Sequence, residues 1–164
     1  MDAGKRRKLR SATAVARDAA GDERKNSKGH NFTRLWIYSH HIYSKIKRKD
    51  LLTLASNYRL SGFSMPGKPG IICLEGRTED CSMAWSEIKS WNWKKIQVRE
   101  QEEEKCDSFD QVESLRRFDG FSEVGFVKNS DTRDYHMDMG DFHTFLQDHN
   151  CGYMFEVYFG IAKE

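Results

Sequence analysis

With 164 residues, 38% hydrophobic and 12% aromatic, the chain suits one domain of ordinary size plus a tail, with enough apolar material for a packed core. Its longest apolar runs, such as Ile71 to Leu74, exclude a bilayer-spanning helix, and no apolar signal segment follows the N-terminal charges. The net charge of +2 conceals a polarised chain: +5 over residues 1–30, +6 over 31–98, −7 over 99–141 and −2 over 142–164.

Residues 1–30 read as a disordered basic tail, and the tetrad Lys5-Arg6-Arg7-Lys8 has nuclear-import character. The folded part starts near Phe32. Arg34 to Tyr38 alternates as a strand, with Leu35 and Ile37 on one side and Arg34, Trp36 and Tyr38 on the other. A helix is expected over 44–58, carried by the stripe Leu51, Leu54, Ala55 and Tyr58. Ile42 and Ile46 fall off that stripe, so either the first turn is a separate element or the helix is buried on two sides. Ser61 to Met65 and Ile71 to Glu75 flank the turn Pro66-Gly67-Lys68-Pro69-Gly70 and read as a hairpin. Thr78 caps a second helix with the stripe Cys81, Ala84, Trp85 and Ile88, and Lys94 to Arg99 alternates as a fourth strand.

The order strand–helix–strand–strand–helix–strand predicts an α+β fold, a ferredoxin-like split βαβ sandwich. Two helices then cover one face of a four-stranded antiparallel sheet over residues 31–99. Residues 100–134 read as an acidic loop and irregular segment. Residues 135–164 read as a mainly helical extension packed on the core. In it, Asp138 or Asp141 caps a helix bearing Phe142, Phe145 and Leu146, Asn150-Cys151-Gly152 stops it, and Tyr153 to Ile161, open to helix or strand, leans helical on Met154, Val157, Tyr158 and Ile161.

The enzyme patterns fail on spacing. There is no GxSxG elbow, and Gly67-Lys68-Pro69 lacks the flanking residues of a phosphate-binding P-loop. His40 and His41 cannot face one site from an extended strand. His143 and His149 lie six apart on different helix faces, and the four cysteines are scattered, so no metal or cofactor is expected. The chain reads as a non-enzyme with no evident small-molecule substrate. Lys45, Lys47, Arg48 and Lys49 crowd the start of the first helix, where cations are disfavoured and a bound phosphate is welcome. With Arg34, Lys68, Lys94 and Lys95 they form a candidate RNA-binding set. Trp36 and Tyr38 offer a base-stacking platform on the first strand, but the third strand has no aromatic, and the C-terminal segment is apolar enough to cover both.

The run Leu60 to Gly76, Trp85, Trp91-Asn92-Trp93-Lys94-Lys95-Ile96, the earlier Trp36 to Ile42 and the later Met137-Asp138-Met139 and Tyr158-Phe159-Gly160 together carry a family signature. Over about residues 33–162 the chain resembles the C-terminal domain of the RWD-domain-containing protein 2 family. That domain is related to the C-terminal domain of pre-mRNA-processing factor 3, a spliceosomal protein. The resemblance implies a ferredoxin-like domain in the nucleus or cytoplasm that binds RNA; the competing reading is a protein-interaction module that uses the acidic segment 99–134 or an exposed sheet edge. Residues 1–30 are too few for the family's N-terminal RWD domain, so a shortened form is expected.

Overall fold

The structure, a computed structural model, describes residues 30–126 and 138–160. The basic tail and the tetrad 5–8 lie outside the described residues. Strand β1 (His30–Ser39) leads to helix α1 (Lys45–Asn57), the hairpin strands β2 (Ser61–Met65) and β3 (Gly70–Arg77), helix α2 (Thr78–Lys89) and strand β4 (Ile96–Cys106). The sheet order is β4-β1-β3-β2-β5, with antiparallel pairing from β4 to β2. That is the ferredoxin-like arrangement read from the sequence. A short β5 (Phe121–Glu123) adds a parallel fifth strand beside β2, which the sequence reading lacked.

The period-2 pattern of β1 and β3 sorts side chains onto two faces. Leu35, Ile37, Ile72 and Leu74 meet Leu51, Leu54 and Ala55 of α1 and Cys81, Ala84 and Ile88 of α2. Gly62 in β2 has φ +132°, and a Cβ there would lie 1.9 Å from the Cys73 carbonyl oxygen, so only glycine fits this crossing. On the opposite face Trp36, Phe63, Met65, Ile71 and Cys73 are covered by Phe118 and by helices α4 (Met139–Asp148) and α5 (Met154–Phe159). Trp36 is fully buried, and the Tyr158 hydroxyl donates to the Ile37 carbonyl at 2.9 Å. The extension therefore closes the face on which bases would stack.

Helices α1 and α4 begin on capping side chains, but Thr78 is the first residue of α2 rather than its cap: Arg77 holds the cap position and makes no side-chain cap hydrogen bond. Ser44 accepts from Lys47 N at the start of α1, and Asp138 accepts from Asp141 N at the start of α4. Ile42 is not part of α1 but bridges to Gly67, while Ile46 is exposed. The stretch read as an acidic loop is different in the structure. β4 continues through it to Cys106, and helix α3 (Phe109–Ser114) follows. The register with β1, Arg34 opposite Glu102 and Phe32 opposite Glu104, supplies the pairing partners for that acidic run.

Candidate nucleic-acid interface

Three loops meet at one end of the sheet. At the end of β1 the Ser39 hydroxyl donates to the His41 carbonyl at 2.9 Å and turns the chain. Ile42 and Gly67 then exchange two backbone hydrogen bonds of 2.9 Å, which fasten this turn to the β2–β3 hairpin. The space is tight, since a Cβ at Gly70 would lie 2.2 Å from the Ile42 side chain. On the other side His40 N donates to the Lys95 carbonyl at 3.1 Å and ties in the segment before β4. Trp93 anchors that segment by donating Nε1 to the Ile88 carbonyl at 2.7 Å, and Lys47 Nζ of α1 sits 5.1 Å from the Trp93 ring centre.

The result is a cationic surface. Lys68, Lys94 and Lys95 are exposed around His40. Partial burial, and then the charges of Lys94, Lys68, His41 and Lys95, hold the His40 imidazole below its usual pKa. Aromatic rings interleave with the charges. His41 stacks on Tyr43 at 4.7 Å with an interplanar angle of 18°, and Tyr43 is 48% exposed. Lys45 and Lys49, one helical turn apart on α1, are exposed as well.

Two of the sequence-derived basic residues stand elsewhere. Arg48 makes a two-pronged ion pair with Glu123 of β5, its shorter contact 2.6 Å. Arg34 is no surface residue: it is 3% exposed. Its Nε donates to Glu75 at 2.9 Å, one Nη to Glu102 at 2.6 Å and the other to the Leu115 carbonyl. Burial alone would lower its pKa, but the hydrogen bonds and charges of Glu102 and Glu75 outweigh that and raise it. Arg34 shares a side of β1 with Trp36 and Tyr38 by parity, as read, but at Arg34 and Trp36 that side is closed.

Glu75, wholly buried, is the centre that sequence reasoning passed over. Its carboxylate accepts from Arg34, from the Ser61 hydroxyl and from the backbone N–H groups of Arg117 and Phe118. Arg117 reaches on to the Asn150 carbonyl and the Tyr153 hydroxyl. Burial and the Glu102 carboxylate push the Tyr153 hydroxyl up to about 12, and that hydroxyl donates to Glu102. An open cleft of about 630 Å³ flanks this network, lined by Phe32, Glu104, Asp148 and neighbours. His143 and His149 serve as packing rings, stacked on Phe155 and Phe118.

The family model described as the C-terminal domain of small nuclear ribonucleoprotein Prp3 matches residues 35–158. The chain belongs to the Prp3 C-terminal domain family. The matched stretch runs from β1 through α5, so the extension is part of the family domain. A curated relative, phomoidride biosynthesis cluster protein F of Fungal sp. (strain ATCC 74256), is 36% identical over 99 residues. The match takes in 56% of this chain and spans about a third (33%) of the relative's length. Among solved structures, full-length HypF in a phosphate- and nucleotide-bound form has a TM-score of 0.40 at 17% identity, covering 59% of this chain and 12% of that one. Acylphosphatases from Bacillus subtilis and Coxiella burnetii score 0.38 each, at 16% and 10% identity, and cover 57% and 61% of this chain and 98% of theirs.

These likenesses correct one expectation. The absence of particular motifs excludes particular chemistries, not catalysis, and a curated relative of this Prp3-type domain is a biosynthesis-cluster protein. The reading of the chain as a non-enzyme therefore does not stand. At these identities the structural likeness is one of fold, and no catalytic residue transfers with it. Among the described residues no helix is long and apolar enough to cross a membrane.

Proposed function

We propose that this Prp3-family domain binds RNA through the basic end of its sheet. The observation that carries the reading is the meeting of three loops there, which gathers Lys68, Lys94 and Lys95 around His40, with Lys47 of α1 beside Trp93. Lysine charges on rigid loops suit a phosphate backbone, and the exposed Tyr43–His41 stack adds a ring face of the kind that single-stranded bases use. Lys45 and Lys49 extend the same surface along α1. The family's name attaches it to small nuclear ribonucleoproteins, so a small nuclear RNA is the RNA class this reading favours, and the nucleus its place.

The test is fluorescence anisotropy with labelled small nuclear RNA fragments across a salt series. The wild-type domain should bind with an affinity that falls as salt rises. The double variant Lys94→Glu, Lys95→Glu should bind at least tenfold more weakly, with the slope of log affinity against log salt reduced by about one per lost contact. Equal affinity of the two proteins, or no binding even at low salt, would sink the proposal.

A further inference from the structure

The sheet has one long open edge. Among the described residues no strand pairs the outer side of β4, an 11-residue strand at the end of the sheet order. Alternate backbone N–H and C=O groups of such a strand point outward and can accept a further strand. A register shift opposite Trp36 and Ile37 makes Arg99 a bulged residue and breaks the edge there. Arg99 itself is engaged, with Nη1 donating to the Tyr158 carbonyl at 3.0 Å and its guanidinium 4.0 Å from the Tyr38 ring centre. The regular, accessible part of the edge is therefore the segment from Glu100 to Cys106.

Its charge says what can lie there. Glu100, Glu103 and Glu104 are exposed, as is the single cation of the segment, Lys105, whereas Glu102 is occupied by Arg34 and Tyr153. By strand parity Glu100, Glu102 and Glu104 lie on one face of the sheet and Gln101, Glu103 and Lys105 on the other, and Glu103 still borders the cleft. The cleft of about 630 Å³ opens beside this stretch, with Glu102, Glu103, Glu104 and Asp148 in its lining; the arginines there are engaged, Arg34 with Glu75 and Glu102, Arg116 with Glu113, and Arg117 with the Asn150 carbonyl and the Tyr153 hydroxyl. A second copy of the chain is a poor occupant, because antiparallel pairing of two such segments sets glutamates against glutamates. We infer that the edge Glu100–Cys106 receives an extended, Lys/Arg-rich peptide as an added strand. Alternate basic side chains of that peptide enter the cleft toward Glu104 and Asp148, and the intervening ones meet Glu103. This site lies apart from the basic end assigned to RNA and does not depend on that reading.

A fluorescein-labelled heptapeptide alternating Lys or Arg with Thr is the probe, in anisotropy titrations against the intact chain. Three arms decide the matter. The peptide should bind the wild-type chain, and ¹⁵N amide shifts should concentrate on residues 100–106. The same peptide N-methylated at alternate amides keeps its charge but loses its strand-pairing donors, and should bind at least tenfold more weakly. The E103K/E104K variant, checked for native circular dichroism, should also lose at least tenfold. Equal binding of the methylated peptide would reduce the contact to unspecific charge and overturn the inference, and the wild-type protein suffices for that arm. Unchanged binding by E103K/E104K, absent binding of the parent peptide, or dimerisation of the chain through this edge would overturn it as well.

Discussion

Glu75 shows how one residue can organise two distant segments. A buried carboxylate is costly unless its lone pairs are filled, and here they are filled by Arg34 on the neighbouring strand, Ser61 across the hairpin and two backbone N–H groups at 117–118. The last two bonds fasten the chain after α3 onto the sheet and set the course of the segment that leads to Phe118. Arg116 reinforces the same joint, donating to the Ser61 hydroxyl at 2.9 Å, to the Glu75 carbonyl and to the Arg59 carbonyl. Glu75→Gln keeps the shape but replaces one accepting oxygen by a donor that faces other donors, and it strips the charge that balances Arg34. Breaking a buried pair in this way costs about 3–5 kcal/mol. Urea unfolding of the variant should show that loss, and a change below about 1 kcal/mol would mean that the network contributes little to stability.

At the scale of elements, the second hydrophobic layer is what separates this domain from an open sheet. Phe142 and Leu146 of α4 and Met154 and Tyr158 of α5 are buried against Trp36, Phe63 and Cys73. Phe142→Ala should cost about 3–5 kcal/mol by the transfer and cavity terms, read as a lowered midpoint in thermal or urea unfolding. RNA affinity should stay within twofold of wild type under native conditions, because the basic end takes its shape from the loops at 40–43, 66–70 and 91–95 rather than from the extension. A parallel loss of affinity would place RNA contacts on the extension side. The elements of the four-stranded core were legible in the sequence because β1 and the two helices have a clear period, Leu35 with Ile37, Leu51 with Leu54 and Ala55, Cys81 with Ala84 and Ile88, and because the turn at 66–70 marks β2 and β3 as a hairpin. β4 was legible only as far as Arg99. Beyond it the side chains are acidic on both faces, a pattern that looks like a solvated loop until the Arg34–Glu102 pairing is known. β5 and α3 are three and six residues long, too short for a period to register. The candidate basic surface was legible in composition only to this extent: Lys68, Lys94 and Lys95 all act electrostatically on His40. Arg34 was assigned to it wrongly, because parity gives the side of a strand and not whether that side is covered. The Tyr43–His41 stack and the role of His40 left no mark in the sequence, because they arise from three loops brought together by tertiary hydrogen bonds.

For the whole molecule the charge polarity has a thermodynamic consequence. One end of the sheet carries Lys68, Lys94 and Lys95, while the far half of β4 carries Glu100, Glu102, Glu103 and Glu104. His40 sits in the cationic region, and partial burial together with Lys94, Lys68, His41 and Lys95 holds its pKa below the usual histidine value. In the free domain the protonated form is therefore disfavoured. Unfolding releases His40 from that field, so the unfolded chain binds more protons in the window between the lowered value and the ordinary one. Stability from this residue is present above the ordinary histidine pKa and declines as pH falls through the window. Bound RNA would have the opposite effect. On the proposed reading, phosphates at the basic end would offset the lysine charges and raise the His40 pKa toward or above its usual value, so binding would take up protons. RNA affinity should then rise as pH is lowered between about 8 and 5, with a limiting slope of about one proton from His40, while the free domain loses stability over the acid part of that range. Anisotropy titrations at constant ionic strength measure the first trend and urea midpoints the second. His40→Gln should flatten both. If the affinity slope survives that substitution unchanged, protons enter the complex somewhere other than His40, and the three-loop cluster is not where the phosphates lie.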